Sequence, residues 1–547
     1  MAGIAGWIAA APRAADEHAL GAMLTALEHR GIGRLLGYVE SDRKRQAVLG
    51  VSLHDSAAQI ALVLDGAIAN AAELRERLVR HGFKFAGETA DEVLLRAYQY
   101  WDKDLVKQLR GAFAFVIWDA RKDRLLIARD RFGEKPLFLY QKDGILYFAS
   151  EMKALLKAPG VARQVDLCAL REFLAQRYVR GPRTLFAGIR KLQPGTYGLW
   201  QYGKLHEVRY WVAPDGAPYV KRTNDRAVDG LLASLGEAVR LHAGEGILLS
   251  GGLDSALLLA LASSGNAKAK TFALGFEGDK SSALPRSAQA ARHFGAEHHE
   301  LVVAPEELVA HLEYLVSCRD APVSQPADLA LCRLASEAGR CVKTVLIGDG
   351  CTAVLGGPRP PGPEPVPEEL IGPLPRPGEA ARDAAGADPR ASALRRALYM
   401  DQTTWLPDEL LERNDRVAVG ACVDARMPFL DHHVAEFVSG LPDGQRVDGL
   451  TGHWILREAG KRLLPAPLRP GNDPGWQLDV AGWLRDELRE FTLDHLKGPS
   501  CATRSYCDAA TLERMLDEHL KGRRNHGALL WTLLNIEIWH RIYAPSA

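Results

Sequence analysis

Hydrophobic positions change their spacing along this chain, and the changes divide it. From residue 1 to about 155 they gather into short apolar runs: Ile60 to Leu64, Phe113 to Trp118, Arg124 to Ala128 and Ile145 to Phe148. Asp65-Gly66 and Lys142-Asp143-Gly144 are turn signals between them, and helices are expected near 15–28 and 71–82. Such sheet-rich organisation predicts two packed antiparallel layers. A helical stretch at 167–177 and a ribbon over 193–211 follow, and the polar run Pro214 to Arg226 reads as a linker. From Ala227 to about 357, helical segments alternate with short apolar ones at 247–249, 271–276, 298–302 and 343–347. That alternation predicts a parallel sheet covered by helices.

A proline-dense stretch, Gly356 to Gly378, then interrupts the pattern. Its proline density predicts an exposed, partly extended segment. Beyond it the spacing is helical over 391–402, 406–422, 431–439, 451–463, 480–495 and 508–520. The last helix, Leu529 to Tyr543, carries Trp531, Ile536 and Trp539 at core spacing. The expected domains are 1–213 and 214–547, the second with a proline-rich insert at 358–377.

Composition narrows the partners. Lys+Arg and Asp+Glu are 68 each in 547 residues, so bulk charge points to neither nucleic acid nor a membrane surface. No run of 18 apolar residues is present, and the N-terminus has no charged segment ahead of its short apolar stretch. No cysteine falls in a CxxC pair, which favours a reducing, cytoplasmic setting and no structural metal.

The candidate chemistry centres on Ile247-Leu248-Leu249-Ser250-Gly251-Gly252-Leu253-Asp254-Ser255. An apolar strand running into Ser-Gly-Gly and then a helix directs backbone N–H groups and a helix dipole at an anion. Asp254 beside such a loop is placed to hold a cation on phosphates. Gly348-Asp349-Gly350 ends a second strand, and in a parallel sheet both turns are expected to face one crevice. Other candidates read as structural. His298-His299 point to opposite faces of a strand, and His432-His433 follow the capping residue Asp431. Arg129-Asp130-Arg131 is expected to form internal ion pairs, and Asp424 and Arg426 are expected to be partners.

The chain as a whole resembles the glutamine-dependent asparagine synthetase family. The likeness is carried by Ala112 to Phe115, Ala128 to Leu137, Ala149 to Leu155, Leu192 to Gly195, the 250–255 loop and Phe294 to His299. Gly348 to Gly350 with Gly356-Gly357, Asn414 to Arg416, Asp424 to Asp431 and Ile455 to Ala459 complete it. The resemblance implies an N-terminal-nucleophile (Ntn) hydrolase-like layered α+β domain. It also implies an α/β adenine-nucleotide α-hydrolase-like (PP-loop) domain with a parallel sheet. The first would release ammonia from glutamine; the second would adenylate a carboxylate for amide formation, with ATP and Mg²⁺ as cofactors. On this likeness Leu248, Ser250, Gly251, Gly252, Asp254, Ser255, Leu274, Gly348, Asp349 and Gly350 are the ATP and pyrophosphate positions, with Asp254 on the metal.

Several family residues are replaced. The nucleophilic cysteine is Ala2, and a methyl group attacks nothing. The Asn-Gly-Glu segment is Asp65-Gly66-Ala67, where an aspartate opposes a developing oxyanion. The ammonium-binding aspartate is Ala90, the clamping arginine is missing from Val51 to Leu53, and Arg30-Gly31-Ile32-Gly33 replaces Arg-Gly-Pro-Asp. In the second domain Thr352 stands for the second metal aspartate, Ala321 for the acceptor-site glutamate and Asp473 for the lysine that steadies pyrophosphate. His453 stands for another lysine, a milder change where histidine is cationic, and Lys461, Arg462 or Arg469 are candidates to replace the lost charge. These losses predict a pseudoenzyme that holds a nucleotide or a protein partner, with a homodimer implied by the relatives. The alternative is a ligase that adenylates an unidentified carboxylate and couples it to a non-glutamine amine.

Overall fold

The computed structural model describes residues 3–9, 17–31, 36–41, 46–214, 220–264, 268–277, 283–304, 307, 309–357, 363–375, 388–449, 452–469, 478–498 and 501–543. Ala2, Ile32, Gly33 and Asp473 lie outside these residues.

The first half supplies β1 (Ala5–Ala9), β2 (Leu36–Ser41), β3 (Gln46–Val51), β4 (Leu53–Asp55), β5 (Ile60–Gly66) and β6 (Phe113–Asp119). It continues with β7 (Arg124–Arg129), β8 (Phe138–Lys142), β9 (Ile145–Ala149), β10 (Ile189–Lys191), β11 (Thr196–Gln201) and β12 (Lys204–Arg209). They form two six-stranded antiparallel sheets, ordered β10-β8-β9-β1-β3-β2 and β12-β11-β7-β6-β5-β4. The apolar runs are continuous because the second sheet is covered on both faces. Phe113, Phe115 and Ile117 of β6 face the helices Ala71–Arg80 and Ala90–Trp101. Ala114, Val116 and Trp118 face the first sheet through Leu139, Leu146 and Phe148. The first sheet's outer face, with Trp7, Val48 and Tyr147, is covered by the helices Glu17–Thr25 and Leu167–Gln176. The result is a helix-sheet-sheet-helix stack of the Ntn-hydrolase type.

The sequence pattern did not predict the helix Ala90–Trp101. Its start was legible in Thr89-Ala90-Asp91-Glu92, since the Thr89 hydroxyl accepts from the Glu92 N–H at 3.3 Å.

The second half builds one parallel sheet from β13 (Gly246–Leu248), β14 (Lys270–Phe276), β15 (Glu297–Val303), β16 (Thr344–Leu346) and β17 (Asp424–Arg426). Its order is β15-β14-β13-β16-β17. Because β13 and β16 are parallel neighbours, the turns after both leave at the same carboxyl edge. Strand β17 was missed because three residues with charged ends carry no strand pattern. Trp531, Ile536 and Trp539 of the helix Gly527–Tyr543 are buried in the core. No described helix is long and apolar enough to cross a membrane.

Over the described residues 363–375 the proline-rich insert is largely exposed and begins without regular structure, as its composition predicts, but it also contains a packed helical turn. Within the described residues 363–375, Glu368–Ile371 forms a helical turn that buries Leu370, Ile371 and Leu374. Arg171 of the first half donates to the Ile371 and Leu374 carbonyls at 2.7 and 2.9 Å, and the Asp508 N–H donates to the Leu370 carbonyl at 2.9 Å. Four residues free of proline, opening with two glutamates, are enough for a helical turn once tertiary contacts bury it. The insert therefore straps the two halves together. A second proline is accommodated differently: Pro407 lies inside a π-helical stretch, Asp401–Leu410, that joins the helices Ala393–Met400 and Leu411–Gly420.

Candidate functional site

The crevice at the carboxyl edge is built by two turns that need glycine. Gly251 has φ +80°, and a Cβ there would stand 2.8 Å from the Ala283 carbonyl oxygen. The turn is tightened by its own hydroxyls. The Gly252 N–H donates to Ser250 Oγ at 3.2 Å, Ser255 Oγ lies 3.1 Å from Ser250 Oγ, and Ser255 also donates to the Gly252 carbonyl at 3.2 Å. The helix Leu253–Ser263 starts there with Asp254 in its first turn. Its buried leucines (Leu257, Leu258 and Leu259) fix its direction against the sheet. Leu248 and Leu274 sit on the adjacent strands β13 and β14.

The second turn meets the first directly. A Cβ at Gly348 would lie 2.5 Å from Asp254 Oδ2, so only glycine lets the loops approach this closely. Gly350 has φ +85° and starts the short helix Cys351–Leu355, which carries Thr352. The Cys351 thiol is buried; that burial, with Asp254 and Asp349 nearby, pushes its pKa far above the usual thiol range and leaves it unreactive. Asp349 is engaged: its Oδ2 accepts from Arg413 Nη2 at 3.0 Å and from Asn414 Nδ2 at 2.8 Å. Arg413 also lies 3.4 Å from Asp328, which is buried and held by Arg319 at 2.5 Å.

The cations proposed from sequence make local contacts, while Asp473, whose position they would serve, lies outside the described residues. Arg462 pairs with Asp225 and Asp229, Lys461 with Glu458, and Arg469 donates to the Leu464 and Lys461 carbonyls. His453 does not replace a lysine charge either. Burial, reinforced by Arg457, lowers its pKa, so the ring is neutral at neutral pH. Arg413 is the cation that sequence reasoning missed. Its only sequence signal was adjacency to Asn414-Asp415-Arg416. Ala321 follows Asp320, which is buried with φ +55° and accepts from the Lys153 N–H at 3.2 Å and from Tyr543 at 3.2 Å.

At the first domain's candidate centre the described residues form a buried ion network. Asp65, at the end of β5, is fully buried; its Oδ2 accepts from Arg30 Nη2 at 3.0 Å and from Ser150 Oγ at 2.7 Å. Arg30 also donates to Glu151 at 2.6 Å and to Asp415 at 2.9 Å. Lys135 joins Asp415 and Asp424 at 3.2 and 3.3 Å, and Arg416 lies 2.6 Å from Glu151. Residues from both halves thus share one buried ion network across the domain seam. Burial pushes the Asp65 carboxyl above its ordinary range, only partly opposed by Arg30. Burial also acts on Glu151, but Arg416, Lys153 and Arg30 outweigh it and hold that carboxyl well below the usual range. Ala67 and Ala90 are not drawn into this network: the Ala67 N–H donates to the Ala112 carbonyl, and Ala90 opens the helix Ala90–Trp101.

Arg129-Asp130-Arg131 forms backbone hydrogen bonds rather than the internal ion pairs expected. Arg129 donates to the carbonyls of Lys135, Leu192 and Gly133, and Asp130 accepts from the N–H groups of Phe132, Gly133, Glu134 and Lys135. Unpaired loop backbone is the nearest polar surface there, and burial requires it to be satisfied. His298 meets Thr271 Oγ1 at 2.8 Å while His299 stacks on Phe272, and Asp431 accepts from the His433 N–H at 2.9 Å. Asp424 pairs with Arg426 at 2.9 Å.

A four-layer Ntn-type domain joined to a parallel sheet with a glycine-built loop at its carboxyl edge defines a two-domain protein of the amidotransferase and PP-loop class. The asparagine synthase family profile matches residues 230–541, and the glutamine amidotransferase domain profile matches residues 1–211. A Mycobacterium tuberculosis protein named "Putative asparagine synthetase" is 32% identical, across 89% of this chain and 85% of that protein. Asparagine synthetase 1 of Bacillus subtilis is 27% identical, across 94% and 90%. The chain belongs to the glutamine-dependent asparagine synthetase family.

Proposed function

We propose that this family member binds an adenine nucleotide at the Ser250 loop but neither hydrolyses glutamine nor completes amide synthesis. The observation that carries the reading is the state of Asp65: a fully buried carboxylate bonded to Arg30 and Ser150, in the turn where the family resemblance puts an oxyanion donor. An anion in that position raises the energy of a developing oxyanion. Ala2 supplies no nucleophile in the same domain. In the second domain the loop hydroxyls, glycines and helix start keep the arrangement that receives a phosphate. Thr352 and Ala321 bring no charge to the positions where the family has carboxylates.

The test is a pair of measurements on the full chain. Glutamine hydrolysis at the level of a boiled control is expected. ATP/pyrophosphate exchange is then followed with a panel of amino acids and other carboxylates, using the Ser250→Ala, Asp254→Asn double variant as background. No exchange above that background is expected, while calorimetry detects ATP or AMP binding that the double variant loses. Exchange with any one carboxylate would identify the chain instead as a ligase that takes an amine from a source other than glutamine.

A further inference from the structure

We propose that the outer helix layer of the first domain is a docking face for an acidic polypeptide anchored by an aromatic side chain. The role requires neither glutamine nor nucleotide, so it stands apart from the function proposed above. The helices Ala71–Arg80 and Ala90–Trp101 bury one side against the second sheet, through Leu74 and Leu78 of the first and Leu94, Ala97 and Tyr98 of the second. Every apolar partner in that cluster belongs to the first half, so the packing of the layer is complete without the second domain. Tyr98 and Tyr100 are two positions apart on one helix, about 200° around its axis. Tyr98 therefore points inward, where its hydroxyl donates to Asp119 at 2.9 Å, and Tyr100 points outward at 43% exposure.

Tyr100 is the centre of a fixed aromatic platform. The His81 ring stacks on it with centroids 4.6 Å apart, and Phe83 and Trp101 meet it edge-on at 5.9 and 5.1 Å. Backbone holds the turn that carries His81 and Phe83: Gly82 has φ +87°, and the Phe83 N–H returns to the Leu78 carbonyl at 3.1 Å. Val79, in the last turn of the same helix, is 53% exposed. Apolar residues scattered singly on a surface are ordinary, but rings gathered on a rigid turn have the composition of an interface core. Because the turn is preset, little freedom is lost when a partner settles on it.

Charge selects the partner. From Arg75 to Phe85 the chain carries Arg75, Arg77, Arg80 and Lys84 against one acid, Glu76. The Arg77 guanidinium lies 5.0 Å over the Trp101 ring and that of Arg75 lies 4.8 Å over Phe85, so the rings themselves hold two of these cations. Arg80, Lys84 and Lys103 are exposed and make no ion pair among the described residues. The acids next to Lys103 are already matched, Asp102 by Lys122 and Arg124 and Asp104 by Lys107. Aromatic surface edged by unmatched positive charge is met on both counts by an acidic segment with an aromatic anchor. The balanced charge of the whole chain gives nucleic acid no wider basic surface to follow.

The test pans a random peptide library, displayed on phage, over the full chain. A Val79→Ser, Tyr100→Ser double variant serves for counter-selection; both positions are exposed, and an unchanged melting temperature is checked first. Clones that bind the wild type and not the variant are expected, with Asp or Glu flanking a Trp, Tyr or Phe. A fluorescein-labelled peptide of the recovered sequence is expected to bind about tenfold more weakly to the double variant, and about tenfold more weakly to an Arg80→Glu, Lys84→Glu variant, by anisotropy. Its affinity for the wild type is expected to fall as salt rises. The proposal is overturned if no clone discriminates, if the discriminating clones are neutral or basic, or if the charge reversal leaves affinity unchanged. Labelled oligothymidylate that binds the wild type and not the Tyr100 variant would overturn it in favour of single-stranded nucleic acid. A dimer in sedimentation that the same variant dissolves would overturn it in favour of a second copy of the chain.

Discussion

Asp65 and Asp349 are both aspartates in glycine turns at strand ends, each held by an arginine, and their surroundings make them opposites. Asp65 is at zero exposure, and its arginine is shared among Glu151, Asp415 and Asp65 itself, all buried. Asp349 keeps more than a third of its side chain open, beside a loop whose Ser250 faces solvent. The first turn has turned its charges inward, with Asp65 Oδ2 paired while Oδ1 is buried without a hydrogen-bond partner, and has become part of the domain seam. The second has satisfied one side only and still presents polar groups to a crevice. A centre that retains a ligand site must leave some polar potential unmet by the protein. One that closes on its own charges becomes structure, because an unpaired buried charge is too costly to keep.

The strongest way to break this comparison is Arg30→Met. It leaves Asp65, Glu151 and Asp415 without their shared partner, and loss of one member of a buried ion network costs about 3–5 kcal/mol. Urea unfolding followed by fluorescence should show the midpoint falling accordingly, with no change in the crevice's nucleotide affinity among the molecules that remain folded. A change under about 1 kcal/mol would mean that the seam is held by apolar packing and that the ion network adds little.

Glycine replacements sharpen the other side. Gly251→Ala forces a side chain into φ +80° and against the Ala283 carbonyl, for about 1–2 kcal/mol of stability. Gly348→Ala pushes on Asp254 instead, whose carboxylate sits at the mouth of the loop. It is expected to lower ATP affinity more than it lowers the melting temperature. Equal effects of the two variants on affinity and stability would argue that the loops are only a packing device.

The smallest effect is a pH dependence at the seam. His432 lies beside Asp431, which Arg110 holds at 2.9 Å. Burial, then the nearby Arg131, lowers the His432 pKa to about 3. Between that value and the ordinary histidine pKa of about 6.5, the unfolded chain binds a proton that the folded chain refuses, so stability falls as pH falls. From pH 7 to pH 6 the loss is about 0.7 kcal/mol. His432→Gln should flatten that part of the stability profile, as read by denaturant midpoints at both pH values. An unchanged slope in the variant would place the titrating group elsewhere.

Much of the fold was legible because apolar spacing is a local property. The runs at Ile60 to Leu64 and Phe113 to Trp118, the Ser-Gly-Gly turn and the buried stripe of the last helix all follow from residues within a few positions of one another. The helix Ala90–Trp101 is equally local, its start marked by the Thr89 cap. Proline density describes the exposed residues before Glu368–Ile371 but not those four residues themselves, whose helical turn is fixed by Arg171 and Asp508.

Sequence alone determined the absent sulfur at position 2, the neutral Thr352, the two glycine turns and the alternation that makes a parallel sheet, since identity and short-range periodicity need no coordinates. Only the tertiary structure decided that Arg30 meets Asp415 across 385 positions and that Arg413 meets Asp349 across 64. Charge pairs over such separations leave no periodic trace in the chain. They are set by which surfaces the packed core brings together, and by the cost of leaving any one of those charges buried alone.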